Sequence, residues 1–295
     1  KTKRSAALPS SEAKWGRTKS PTPAPAVPAE AVLQQQDGDV GADALRLAHD
    51  TIAREKASGA EALAEGRFVD AQRAFERMRD AARGAGLGRE EGRAHQLLGR
   101  ALDQSDAPEQ SVEDAYKRAL AIAHRQDDMV LSFDTLTGMG VHAAKTGDPE
   151  LAEHFFLQSQ TLAKRVLTER EEAAAETSLG ACLLKGPRKK EAFVHIQRAL
   201  VLWGRCGDSA REVASLRVDL GAAQRAIGKL KEAKGEYDHA LAQSRKLGDV
   251  ALEARVLEEL ALLHETPPAQ LFMVDQRDPA KAAEYRRALA ALGRT

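Results

Sequence analysis

From about Ala42 onward, small and bulky apolar positions return among polar ones at a long, fixed spacing. A small residue recurs at Gly59, Gly99, Gly140, Gly180, Gly221 and Ala261, with separations of 40, 41, 40, 41 and 40. A bulky one recurs at Phe75, Tyr116, Phe156, Ile196, Tyr237 and Tyr285, with separations of 41, 40, 40, 41 and 48. Four residues before each stands Ala71, Val112, Ala152, Ala192 or Ala233, and Lys281 breaks that series. Two independent ladders sharing one period mark an internal repeat.

Punctuation falls where the ladders require it. Gly66, Asp106-Ala107-Pro108, Gly147-Asp148-Pro149, Gly186-Pro187 and Gly228 lie between the two ladders of a unit. Gly84 to Gly88, Asp127-Asp128, Gly207-Asp208 and Gly248-Asp249 lie between units. Glycine accepts left-handed backbone angles and proline cannot continue a helical hydrogen-bond ladder, so both end helices. The stretches between them predict helices of roughly 12 to 18 residues. The expected fold is all-α, a solenoid of about six helix pairs over units 42–88, 89–128, 129–168, 169–208, 209–249 and 250–295. In each unit a small residue of the first helix admits a bulky residue of the second, and stacking of units creates the core.

Composition supports helices: alanine, leucine, arginine and glutamate dominate, and all four favour the helix. Lysine plus arginine and aspartate plus glutamate are 44 each, so no global field attracts nucleic acid or an anionic membrane. No apolar run reaches bilayer length. Two cysteines, Cys182 and Cys206, are too few for a disulfide framework, match no metal spacing, and suit packing roles in a reducing compartment.

Residues 1–41 stand apart as a basic, proline-rich segment. Lys1, Lys3, Arg4, Lys14, Arg17 and Lys19 face only Glu12 and Glu30 over the first thirty residues. Ser20-Pro21-Thr22-Pro23-Ala24-Pro25 excludes a helix there, and a disordered or extended tail is expected as far as residue 41. The chain opens on Lys1, the mark of a processed form or of a segment of something longer.

Leu179-Gly180, Leu220-Gly221, the turn glycines Gly147 and Gly228, and Ala233-x-x-x-Tyr237-x-x-Ala240-Leu241 resemble tetratricopeptide (TPR) repeats over about residues 50 to 292. The resemblance implies a right-handed superhelix whose first helices line a concave side where partner proteins bind. The period of 40 to 41 exceeds the usual 34, which adds roughly 9 Å of helix per unit. In this the chain is similar to the longer repeats of kinesin light chains and spindle-orientation adaptors. The chain holds no asparagine. Clamping of chaperone C-termini, which the resemblance would assign to asparagines with lysines in the first helices, is therefore not expected, nor is the asparagine ladder of the spindle adaptors.

Candidate binding residues follow from the repeat. Lys145, Lys185 and Arg225 end the first helices of three successive units, forty residues apart. Together with Arg188, Lys189 and Lys190 they suggest a cationic rim for an acidic extended segment, or else cations placed to complement helix C-termini. Trp15 and Arg17 suggest an anchor in the basic segment. The apolar run Leu271-Phe272-Met273-Val274, after Thr266-Pro267-Pro268, is expected to cap the last unit. Eight histidines form no metal motif and are expected at surface or packing positions, and no catalytic constellation or cofactor loop is present. The expectation is a non-catalytic interaction scaffold, an accessory or assembly subunit of a large complex. Its setting would be cytoplasmic, cytoskeletal or ciliary, or else an organelle matrix or stroma after import, with acidic segments or a cytoskeletal polymer as partners, and no cofactor. The alternative is an organellar RNA-binding or ribosome-associated helical-repeat protein, which neutral charge and the 40-residue period disfavour.

Overall fold

The computed structural model describes residues 29–105, 107–207, 209–265 and 277–293, with side chains from Gly41 onward. Trp15, Arg17 and the run Leu271–Val274 lie outside the described residues. Twelve helices follow one another: α1 (Ala29–Ala64), α2 (Phe68–Gly84), α3 (Gly88–Gln104), α4 (Glu109–Arg125), α5 (Met129–Thr146) and α6 (Pro149–Val166), then α7 (Glu169–Lys185), α8 (Lys189–Arg205), α9 (Ala210–Ala226), α10 (Leu230–Leu247), α11 (Val250–Glu265) and α12 (Pro279–Leu292). No strand occurs among the described residues, and no helix there is long and apolar enough to cross a membrane. Two compact units divide at Leu45 and Arg46.

Helix α1 begins at Ala29, inside the segment expected to be extended. The last proline of the tail is Pro28, and the residues after it, Ala29-Glu30-Ala31-Val32-Leu33-Gln34-Gln35-Gln36, are mostly strong helix formers. The expectation of an extended segment rests on prolines that end at Pro28, and beyond it nothing in this stretch forbids the helical backbone.

The two ladders meet in space. A Cβ placed on Gly140 or Gly221 would come within 2.6 Å of the Phe156 or Tyr237 ring, and one on Gly180 within 2.7 Å of the Ile196 side chain. Gly59 faces Phe75 in the same way, and Gly99 faces Tyr116 at 2.9 Å. A Cβ on Gly138 of the next unit would come within 2.7 Å of the same Tyr116 ring, so one ring joins two units. Phe75, Tyr116, Phe156, Ile196 and Tyr237 are at most 2% exposed, as are Ala71, Val112, Ala152, Ala192 and Ala233 of the companion series. In the last pair the small residue is Ala261, and Tyr285 stays partly buried, its ring stacked 5.8 Å from that of His264.

Helix ends are fixed by short polar caps. Asp128 accepts from Leu131 N, Asp148 from Leu151 N beside Pro149, and Asp278 from Lys281 N. Gly86, Gly207 and Gly248 take positive φ between units; between α4 and α5 that conformation falls to Asp127 (φ 50°).

Beyond the packing of each helix on the next, the first helices of neighbouring pairs touch: α3 with α5, α5 with α7, α7 with α9 and α9 with α11. No two second helices do so among the described residues. First helices therefore form a continuous inner layer, while second helices stand apart on the outside. Curvature follows, because the closer layer lies on the shorter arc.

Candidate protein-binding surface

The inner layer carries small side chains over its middle. Ala174, Ser178 and Ala181 on α7, with Ser215 and Ala222 on α9, are half-buried. Where α7, α9 and α11 come together with Trp203 of α8, a cavity of ≈ 510 Å³ opens. Ala174, Leu216, Ala251 and Leu252 give it apolar walls; Thr177, Ser178, Ser215, Arg211 and Arg255 give it polar groups.

Trp203 is 7% exposed and donates its indole N–H to Thr177 Oγ1 at 3.1 Å. The Arg170 guanidinium stands 5.6 Å from the ring centroid. Arg211 pairs with Asp249 at 2.6 Å across α9 and α11. Asp249 sits below the usual carboxylate range because Leu252 N and then Arg211 donate to it. Arg255 of α11 reaches back to Asp219 and to Ser215 Oγ, the latter at 3.2 Å. Burial pushes the Asp219 carboxyl up even with Arg255 beside it. The cavity thus presents an aromatic wall, hydroxyls, the Arg211–Asp249 pair, the Arg255 guanidinium and the Glu212 carboxylate, a mixture suited to an extended peptide whose backbone needs donors and acceptors.

The sequence candidates are not equivalent in this frame. Lys145 donates to Asp103 O in the preceding unit and lies 3.7 Å from the Asp103 carboxylate. Lys185 is exposed and makes no ion pair with a described residue. Arg225 turns inward, half-buried, and pairs with Glu259 of α11 at 3.1 Å; Tyr237 donates to the same carboxylate at 2.8 Å. The reason is register. Lys145 and Lys185 follow their ladder glycines by five residues, whereas Arg225 follows Gly221 by four. One residue rotates a side chain by about 100° around a helix, so equal spacing along the chain is not an equal place in the unit. Arg188 is held by Glu153 at 2.6 Å and by Glu191 at 2.8 Å, Lys189 donates to Leu184 O, and Lys190 is exposed.

Sequence reasoning missed the buried charges. Glu176 is fully buried on α7 and receives His195 Nδ1 at 2.7 Å, Lys164 at 3.1 Å and Arg198 at 3.2 Å. His142 of α5 meets Asp103 of α3 at 2.6 Å, both buried, and Glu55 meets Arg77 at 2.7 Å. Two of the histidines expected at surface or packing positions are thus parts of ion networks. A signal existed: Glu55, His95, Glu176 and Arg217 all stand four residues before the ladder glycine, where Leu136 and Leu257 stand in the other units. Among the described residues no group of three or more histidines, cysteines or carboxylates could hold a metal ion. Both cysteines are free thiols, with Cys182 in the core.

No protein-family model matches the chain, and no curated protein does. Solved structures match it in shape. BtubC (BKLC) from P. vanneervenii superposes with a TM-score of 0.62 at 17% identity, over 84% of this chain and 91% of that one. A Rap protein complexed with competence and sporulation factor gives 0.61 at 13% identity, over 80% of this chain but 62% of that protein's length. A putative kinesin light chain of nearly identical TPR-like repeats from P. anserina gives 0.54 at 13% identity, over 70% of this chain and 97% of that one. At these identities the likeness is one of fold. Paired helices, a glycine–aromatic ladder in each unit but the fourth and the last, and these superpositions together make this chain a TPR-like helical-repeat protein in fold.

Proposed function

We propose that the chain is a non-catalytic scaffold whose inner layer holds an extended segment of another protein. The observation that carries this reading is the cavity around Trp203, where three first helices supply side-chain donors, acceptors and apolar walls to one open site. The Rap protein of similar fold was solved complexed with competence and sporulation factor, which supports partner capture by this architecture. An accessory or assembly role in a larger complex belongs to the same reading, since a frame of this kind serves by positioning others. So does a cytoplasmic, cytoskeletal or ciliary setting, supported by the basic segment before Ala29 and its match to acidic polymer surfaces.

The test is affinity purification of the full chain against a Ser178→Arg variant, which fills the cavity from a half-buried position. Partners recovered by the parent chain should fall about tenfold in yield, a loss of about 1.4 kcal/mol in binding, while far-UV circular dichroism stays the same. Equal recovery of every partner by the variant refutes inner-layer binding.

A further inference from the structure

Because second helices do not touch one another, an outer valley lies between each successive pair, floored by the first helix between them. The residue four before the ladder glycine lies on that floor. Between α6 and α8 it is Glu176, and Lys164 from one wall with His195 and Arg198 from the other close over it. Between α8 and α10 it is Arg217, tied to Glu236 at 2.6 Å. Between α2 and α4 it is His95, 2% exposed, its pKa depressed to about 4 by burial and then by the charge of Arg79, with Arg118 and Arg83 adding to it. Leu257, between α10 and α12, is 1% exposed.

The valley between α4 and α6 differs. Its floor residue is Leu136, and a cavity of ≈ 710 Å³ remains open above it. Leu162 joins Leu136 in the lining, and Met129, Leu157 and Val166 are 38%, 42% and 56% exposed there. We propose that this valley docks an amphipathic helix of another protein, apolar on the face it inserts and acidic along its flanks.

Three observations choose that occupant. The α5 floor is Met129 and Leu136 with a buried Ser132, while the polar lining residues His124, His154, Gln158, Thr161 and Arg165 stand on the walls, Gln158 already bonded to His154. The floor thus offers few partners for the N–H and C=O groups of an extended chain, whereas a helix satisfies its own backbone. The α6 lining runs from His154 to Val166, a rise of about 18 Å, room for three turns. The lining contains no carboxylate, and Arg165 on its rim is exposed without an ion pair to a described residue. An acidic flank therefore meets an uncommitted cation and no carboxylate within the lining itself. The site is on the opposite face from the inner cavity and does not depend on it.

The test uses fluorescein-labelled, side-chain-stapled helices of about five turns with a leucine stripe, flanked by glutamate in one set and by lysine in another, titrated by anisotropy onto the full chain. The glutamate set should bind, the lysine set about tenfold more weakly, and a version with a central proline not at all. Leu157→Asp and Val166→Asp, both at exposed positions, should each weaken binding about tenfold; Arg165→Glu should remove the preference for acidic flanks, and Ser178→Arg on the inner layer should change nothing. Equal binding of the two sets, or binding indifferent to Leu157→Asp, overturns the proposal. So does concentration-dependent self-association in sedimentation that Leu157→Asp abolishes, because the occupant would then be a second copy of this chain.

Discussion

Leu136 and Glu176 hold the same place in successive units, each four residues before its ladder glycine, and their surroundings have diverged completely. Around Glu176 the outer valley is filled by three cationic or imidazole side chains from both walls; around Leu136 it is open, with an apolar floor and mixed apolar and polar walls free of carboxylate. The backbone frame does not explain this, since a Cβ added at the ladder glycine would meet the second helix alike in the two units, at 2.6 Å for Gly140 and 2.7 Å for Gly180. The frame fixes where the valleys lie. Side chains at one register then decide whether a valley is spent on internal cohesion or left for a partner. A buried carboxylate needs its counter-charges to be tolerated, so the fourth unit has no freedom there.

That contrast is best broken at Glu176 first. Glu176→Ala leaves Lys164, His195 and Arg198 facing an empty, partly buried place, and should cost about 3 kcal/mol in urea unfolding, discounted because the Lys164, His195 and Arg198 side chains are 35%, 26% and 52% exposed. A cost under about 0.5 kcal/mol would mean that the cluster is merely tolerated. Leu136→Ala should cost about 2 kcal/mol, at the low end for a core leucine because the site already opens outward; a larger loss than at Glu176 would reverse the assignment of roles.

Ladder substitutions sharpen the claim that the frame is common. Gly140→Ala and Gly180→Ala should each destabilise by about 1 to 2 kcal/mol, overpacking being offset in part by the better helix propensity of alanine. A wide difference between the two would show that the units differ in frame as well as in filling.

Acid titration separates the units by a smaller effect. Hydrogen bonds from His195 and Lys164 hold the Glu176 carboxyl below its ordinary 4.5 against the opposing effect of burial, which is the largest single influence. A depressed folded pKa gives stability that is present above 4.5 and is lost as pH falls through the folded value. The stability gap between the parent chain and Glu176→Gln should therefore narrow below pH 4.5, while that for Leu136→Ala stays flat. Smallest of all, Leu157→Asp and Val166→Asp should change stability by less than about 0.5 kcal/mol, since an open valley contributes little to folding.

How far the sequence could be read depended on how local each cause was. The glycine ladder was legible because a close approach forbids a side chain at one position, whatever the partner. Lys145, Lys185 and Arg225 are evenly spaced along the chain but not from the ladder, and the single residue of drift between Gly180 and Gly221 hides the inward turn of Arg225. Glu176 lies in the run Glu169-Arg170-Glu171-Glu172-Ala173-Ala174-Ala175-Glu176, which reads as a solvated charged face. Its three partners come from α6 and α8, and nothing local announces them.

Period, pairing and the glycine–aromatic contact were thus determined by the sequence itself, because helix propensity and steric exclusion act within or between adjacent helices. Which charges would be buried, which valley would stay open, and that α7, α9, α11 and Trp203 would enclose one cavity were decided only by tertiary structure. Those outcomes depend on side chains that stacking brings together from different helices, and burial sets the strength of every charge among them.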